Sequence, residues 1–149
     1  MSSLYGEYAY VMDAKGRVFV PSRFRDELLK EDKNYFMLSI GLDRCLYIFL
    51  PSKWEELLAN NMAIFKSDNK EEERAFKRFF FSNASEAHVD QQGRILVPQN
   101  QKAYASLKKD ILINGVGNKA EIWDAQAWKK YKKDVMEPSF EKFSKIVDL

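Results

Sequence analysis

Cysteine and histidine occur once each, as Cys45 and His88, in a chain of 149 residues that also holds only six glycines and four prolines. A lone cysteine cannot close an internal disulfide, and Cys45 sits in an apolar, strand-like run. A reduced, cytoplasmic setting is therefore expected. With one histidine and one cysteine far apart in sequence, catalysis has little to work with. The chain also carries no H-E-x-x-H, no G-x-x-x-x-G-K-[ST] and no G-x-S-x-G. No stretch approaches the roughly 18 apolar residues of a membrane span. The start of the chain has neither the basic run nor the apolar core of an export signal. Charge of one sign is lacking too: 24 basic against 22 acidic residues leave a net charge of +2. Any contact with nucleic acid must then come from local placement of charge rather than from the total.

What is present is a soluble globular composition, 46% hydrophobic and 31% charged, with a generous 14% of aromatics. Above all there is a phrase stated twice. Asp13-Ala-Lys-Gly-Arg17-Val-Phe-Val-Pro21 returns as Asp90-Gln-Gln-Gly-Arg94-Ile-Leu-Val-Pro98. Further on, Leu38-Ser-Ile-Gly41, Cys45-Leu-Tyr-Ile-Phe49 and Trp54 match Leu112-Ile-Asn-Gly115, Lys119-Ala-Glu-Ile-Trp123 and Trp128. The first offset is 77 and the second 74, so the second copy has lost three residues, a loss that a surface loop would tolerate. Gly16, Gly41, Gly93 and Gly115 recur at repeated places, as expected where turns need positive φ. A supersecondary unit used twice packs against its own copy.

Each copy reads as strand, turn, strand, short helix and hairpin. Tyr8 to Met12 leads into the Asp13–Arg17 turn and Val18 to Val20 leads out. A helix follows Pro21, with Phe24, Leu28 and Leu29 at helical spacing. Tyr35 to Ile40 and Cys45 to Leu50 form the hairpin. Ser52 and Glu55 read as a capping box, and Asp68 opens another helix running to about Phe81. The second copy ends in a Lys-rich helix from about Ala125 to Met136, and Pro138 precedes a last amphipathic piece. No low-complexity linker divides the halves, so one intertwined unit is expected.

The Asp-x-x-Gly-Arg turn admits two readings. It is a hairpin corner in which Asp takes turn amides and pairs with Arg. Alternatively it displays Lys15 and Arg17 on a rigid tip, where a guanidinium can grip phosphate or guanine. Arg23 and Arg25 follow the first turn, whereas Asn100 and Lys102 stand at the matching places of the second. The first copy is thus the more basic and is expected to make the contact. Gly115 to Ala120 fits G-x-G-x-x-A, but Ala120-Glu-Ile-Trp123 reads as strand where a dinucleotide site needs a helix. Glu86, His88 and Asp90 alternate as a metal trio would, or as an exposed polar strand face. Lys129, Lys130, Lys132 and Lys133 read as a solvated helix face or a phosphate patch. Phe76, Phe79, Phe80 and Phe81 read as core or subunit interface.

At the doubled phrase the chain resembles the MraZ family of bacterial transcriptional regulators. The matching residues are Asp13, Lys15, Gly16, Arg17, Pro21, Arg23 and Arg25, then Asn83 to Glu86, Asp90, Gly93, Arg94, Pro98, Gly115 and Glu121-Ile-Trp-Asp124. The resemblance implies an α+β, mainly β fold. It would comprise two tandem AbrB-like swapped-hairpin β-barrel repeats with pseudo-two-fold symmetry plus peripheral helices. The first repeat with its two following helices would span 1–81, and the second with the C-terminal helices 82–149. It implies a sequence-specific regulator of the division and cell-wall gene cluster, associated with the nucleoid. Such a protein binds promoter direct repeats of double-stranded DNA as a closed homo-oligomeric ring, without cofactor, metal or catalytic residues. Lys15, Arg17, Arg23, Arg25 and Arg94 would contact DNA, and Asp13, Gly16, Asp90 and Gly93 would shape the turns. The second motif carries Gln91-Gln92 and no further Arg. An antitoxin-like protein-interaction module is the alternative.

Overall fold

The computed structural model describes residues 3–60 and 66–149. Strand β1 (Leu4–Val11) runs through the first turn into β2 (Arg17–Phe19), then α1 (Ser22–Lys30) and β3 (Tyr35–Ile40). A 3₁₀ turn at Leu42–Arg44 leads to β4 (Leu46–Phe49), followed by α2 (Pro51–Asn60) and α3 (Lys70–Ser82). The second copy has β5 (Ser85–His88), β6 (Arg94–Leu96), α4 (Gln99–Tyr104), β7 (Asp110–Gly117) and β8 (Ala120–Asp124). It ends in α5 (Ala125–Tyr131), a π turn at Lys132–Met136 and α6 (Glu137–Phe143).

The two copies exchange strands. In a six-stranded sheet ordered β1-β7-β8-β4-β3-β5, the first strand of each copy pairs with the hairpin of the other. A two-stranded ribbon, β2 with β6, joins the copies a second time. All these pairings are antiparallel, and the two that join like strands, β2–β6 and β4–β8, are centred on the pseudo-two-fold axis, while the outer pairings differ between the copies by one residue. In the ribbon Val18 faces Ile95, its own repeat equivalent, while Arg17 faces Leu96 and Phe19 faces Arg94. In the sheet Tyr47 faces its equivalent Glu121, with Leu46 opposite Ile122 and Ile48 opposite Ala120. The intertwining follows, but closure does not. Strands β1 and β5 are the two edges of the sheet, so among the described residues the barrel is open.

Alternation sets the core. Val18, Val20, Ile95 and Val97 point inward and are buried, whereas Phe19 and Leu96 between them are exposed. The ribbon thereby caps the apolar interior formed by Phe36, Leu38, Leu46, Ile48, Ile111, Ile113 and Ile122. A second aromatic layer repeats at offset 74. Phe49 lies 5.4 Å from Trp54, and Trp123 lies 5.4 Å from Trp128. In the first copy α3 adds Phe80, stacked on Trp54 at 5.8 Å. The four phenylalanines therefore divide, with Phe80 half-buried and Phe76, Phe79 and Phe81 exposed.

Several local expectations are corrected. The three lost residues come from a helix, not a loop: α1 has nine residues and α4 has six. Both ends survive the loss. Phe24 and Arg25 amides bond to Pro21 O as Gln101 and Lys102 amides bond to Pro98 O. At the far end Asp32 (φ 56°) and Ser106 (φ 51°) both turn left-handed, 74 residues apart. Just under one helical turn was removed from between conserved bond patterns. Leu29 does not join Phe24 and Leu28 in the core; it is exposed. Ser52 lies inside α2 and bonds Glu31 through its amide (3.0 Å) and hydroxyl (2.5 Å), so it caps nothing. Asn69, not Asp68, caps α3, accepting from the Glu71 and Glu72 amides. Gly41 and Gly115 are required by space rather than by φ. A Cβ on Gly41 would meet the Tyr47 ring at 2.6 Å, and one on Gly115 would meet the Leu4 backbone at 2.3 Å.

Candidate nucleic-acid interface

The two turns are built from the same bonds. Asp13 Oδ1 accepts the amides of Lys15 (3.0 Å) and Arg17 (2.8 Å), while Oδ2 accepts Arg17 Nε (2.7 Å). Asp90 Oδ1 accepts the amides of Gln92 and Arg94 (both 2.9 Å), and Oδ2 accepts Arg94 Nε (2.9 Å). Gly16 (φ 86°) and Gly93 (φ 85°) supply the left-handed residue that lets each loop close. Both carboxyls are held below the usual aspartate range. The backbone amide of the following Arg is the largest influence and outweighs partial desolvation, with the guanidinium adding to it.

This geometry joins the two readings of the motif. The aspartate fixes the corner and, by taking Nε, sets the guanidinium in one orientation. The two terminal amino groups of Arg17 remain as the donors for a ligand. Ribbon pairing then sets the turns side by side. Val20 N bonds Gly93 O at 3.0 Å, Val97 N bonds Gly16 O at 2.9 Å, and Arg94 Nη1 lies 3.9 Å from Asp13 Oδ2.

The helices that follow the turns bring further charge, and they bring it across the pseudo-axis. A Cβ on Gly93 would touch Arg25 Cζ at 2.8 Å, so Arg25 of the first copy lies over the second turn. Its Nε is anchored on Val20 O at 3.1 Å. A Cβ on Gly16 would meet Lys102 Nζ at 3.1 Å, so Lys102 of the second copy lies over the first turn. The expectation that Arg25 strengthens its own copy's turn is thus replaced by a crossed arrangement. Lys15, Arg17 and Lys102 serve one turn, Arg94 and Arg25 the other. Lys102 is the residue that sequence reasoning passed over; its match to Arg25 at offset 77 was the available signal. Arg23 is placed elsewhere. Its guanidinium lies 4.6 Å from the Tyr5 ring centroid and bonds the Tyr5 hydroxyl near the start of β1.

Other sequence candidates dissolve. Gly115 to Ala120 forms the corner of the β7–β8 hairpin, closed by Val116 N to Lys119 O at 2.9 Å, and no helix starts there. His88 Nε2 lies 3.3 Å from Glu86 Oε1 on an exposed strand, while Asp90 is committed to Arg94. Among the described residues no group of three His, Cys, Asp or Glu is placed to hold a metal ion. Nor is any helix among them long and apolar enough to cross a membrane. In the Lys-rich stretch, Lys130 pairs with Asp134 at 3.4 Å and Lys132 with Glu7 at 3.2 Å.

Comparison with known proteins agrees with the doubled architecture. A family model described as "MraZ protein, putative antitoxin-like" matches twice, over residues 4–79 and 80–149. A protein of Acetivibrio thermocellus named transcriptional regulator MraZ is 45% identical over 130 residues, 87% of each chain. Proteins of the same name from Heliobacterium modesticaldum and a Thermoanaerobacter species are 40% and 37% identical over 96–97% of this chain and 96% of theirs. Two family matches that together span residues 4–149, each containing one Asp-x-x-Gly-Arg turn, place this chain in the MraZ family.

Proposed function

We propose that the chain is a DNA-binding transcriptional regulator without catalytic activity, cytoplasmic and associated with the nucleoid. It acts on promoter direct repeats of the division and cell-wall gene cluster, as a closed ring of identical subunits. The observation that carries this reading is the pairing of the two turns. Five cations, Lys15, Arg17, Arg25, Arg94 and Lys102, stand on or over two adjacent rigid corners of a nearly neutral chain. The relatives' name as transcriptional regulators supports the same reading.

The halves 1–81 and 82–149 are read as AbrB-like swapped-hairpin repeats, joined by the strand exchange of the open sheet. Arg17 and Arg94 approach bases through their terminal amino groups, each worth about 1–3 kcal/mol of discrimination if bidentate to guanine. Lys15, Arg25 and Lys102 neutralise phosphates. Arg23 contributes from the flank. Asp13, Gly16, Asp90 and Gly93 hold the corners. A weak grip per subunit, offered several times on one ring, gains strength through effective concentration.

Fluorescence anisotropy tests this with wild type and Arg17→Ala, using the duplex upstream of the chain's own gene and a scrambled one at two salt concentrations. Selective, salt-sensitive binding that the variant loses while keeping its oligomer is expected. Equal weak binding to both duplexes, unchanged in the variant, would refute the reading and favour a protein-interaction module.

A further inference from the structure

Beyond Met136, which packs on the Trp123–Trp128 layer, the end of the chain presents exposed apolar side chains. Helix α5 continues through the π turn into α6 with helical dihedrals at both junctions: Lys132 φ −58°, ψ −48° and Glu137 φ −63°, ψ −46°. Pro138 has no amide hydrogen to offer Asp134, and the wider π bonding spans that gap. The result is one continuous rod, with no loop by which α6 could fold back onto its own subunit. On that rod Phe140 is 69% and Phe143 49% exposed, with Val147 also exposed. Phe140 and Phe143, three residues apart on α6, form an exposed stripe. Glu137 and Glu141 flank it on one side.

The same chain holds a complementary recess. A groove of about 430 Å³ opens between α2, α3 and the β7–β8 corner, lined by Leu57, Phe79 and Tyr104 with Lys53 and Lys119 among its polar members. Phe79 is 56% exposed there, and no residue of 137–149 lines the groove. A cavity of about 150 Å³ accepts one benzene. The groove therefore has room for two phenyl rings, the number α6 presents three residues apart. Its lysines also match the acidic flank of the stripe, although Glu56, 3.6 Å from Lys53, already partners one of them.

We infer that α6 of one copy seats Phe140 and Phe143 in the α2–α3 groove of the next. This rests on the ring reading above and supplies its contact. Donor and acceptor are different surfaces, so the interface is head-to-tail, the kind that closes into a ring when the rotation allows. The test is native mass of the full chain, of Phe140→Asp/Phe143→Asp and of Phe79→Asp, alone and mixed. The tail positions lie on an exposed helix, so that variant keeps its fold, which its circular dichroism checks. Each variant alone is expected to fall from the ring to small species. The mixture should form a one-to-one pair at twice the 17.5 kDa chain mass and nothing larger, because one intact tail meets one intact groove. A tail variant that keeps the wild-type ring, or a mixture that stays apart, overturns this contact while the ring stands. A wild type that is itself a single chain overturns both.

Discussion

Lys102→Ala offers a quantitative test of the crossed arrangement. Lys102 belongs to the second copy by sequence, yet its ammonium lies over Gly16 in the first turn, as Arg25 lies over Gly93 in the second. Three side chains per subunit, Lys15, Arg25 and Lys102, are assigned to phosphates. Each neutralised phosphate of B-DNA adds about 0.9 to the magnitude of the logarithmic salt slope. An engaged subunit then has a slope of about −2.7, and raising salt from about 50 to 200 mM weakens it roughly 42-fold. Without Lys102 the slope falls to about −1.8 and the same change of salt costs roughly 12-fold. Arg25→Ala should give the same slope, and the double variant about −0.9. The loss should be uniform across sequences, because phosphate contacts position the protein without reading bases. Anisotropy titrations on operator and scrambled duplexes over a salt series measure this directly. An unchanged slope in Lys102→Ala would refute the assignment of Lys102 to a phosphate, and beside a reduced slope in Arg25→Ala it would leave only the second turn's half of the crossed arrangement in contact with DNA.

Two further outcomes concern the scaffold. Gly115→Ala must push β1 off β7, since its Cβ would meet the Leu4 backbone at 2.3 Å; a loss of about 3 kcal/mol or more is expected in thermal or denaturant unfolding. Gly117→Ala, at φ 96° where an added Cβ would meet no other residue's atoms within 4 Å beyond its chain neighbours, should cost only about 1 kcal/mol; equal losses would mean that strand packing does not set the first. The second concerns acid. Asp13 and Asp90 have folded-state pKa values below the ordinary one, so their contribution is complete above the unfolded aspartate value and disappears as pH falls through the folded values. The Asp13→Asn/Asp90→Asn double variant should therefore be less stable than wild type at neutral pH and converge with it under acid; a gap that persists below pH of about 2 would place the effect elsewhere.

The turns were legible because their chemistry is local. Asp13, Gly16 and Arg17 lie within five residues, so bonding and φ follow from residue type. That the halves intertwine was legible from the repeat, but the pairing was not, because nothing in Leu4–Val11 says that its partner is Asp110–Gly117 rather than its own hairpin. Lys102 was undervalued for the same reason, its neighbour in space lying 86 positions away at Gly16. The shortened helix misled because a count of missing residues does not say where they left; only the matched bonds at both ends do. Gln101 shows what the deletion cannot explain by pattern. It takes the buried place of Phe24, donating Nε2 to Leu38 O (3.1 Å) and Asn83 O (2.7 Å), a polar tie where periodicity asks for an apolar side chain. Ser52 fitted a sequence signature whose helix begins one residue earlier, and Glu31, just past the end of α1, takes its amide and hydroxyl instead.

A pair of identical turns related by a true dyad would look the same from either end of a duplex and would suit a palindrome. Here the axis relates Lys15 to Gln92 and Arg25 to Lys102, so the two corners are alike in shape and unlike in charge. On the DNA-binding reading proposed above, the pair would have a front and a back on DNA, and each subunit would tell upstream from downstream. Sites read by such a device would then all point the same way.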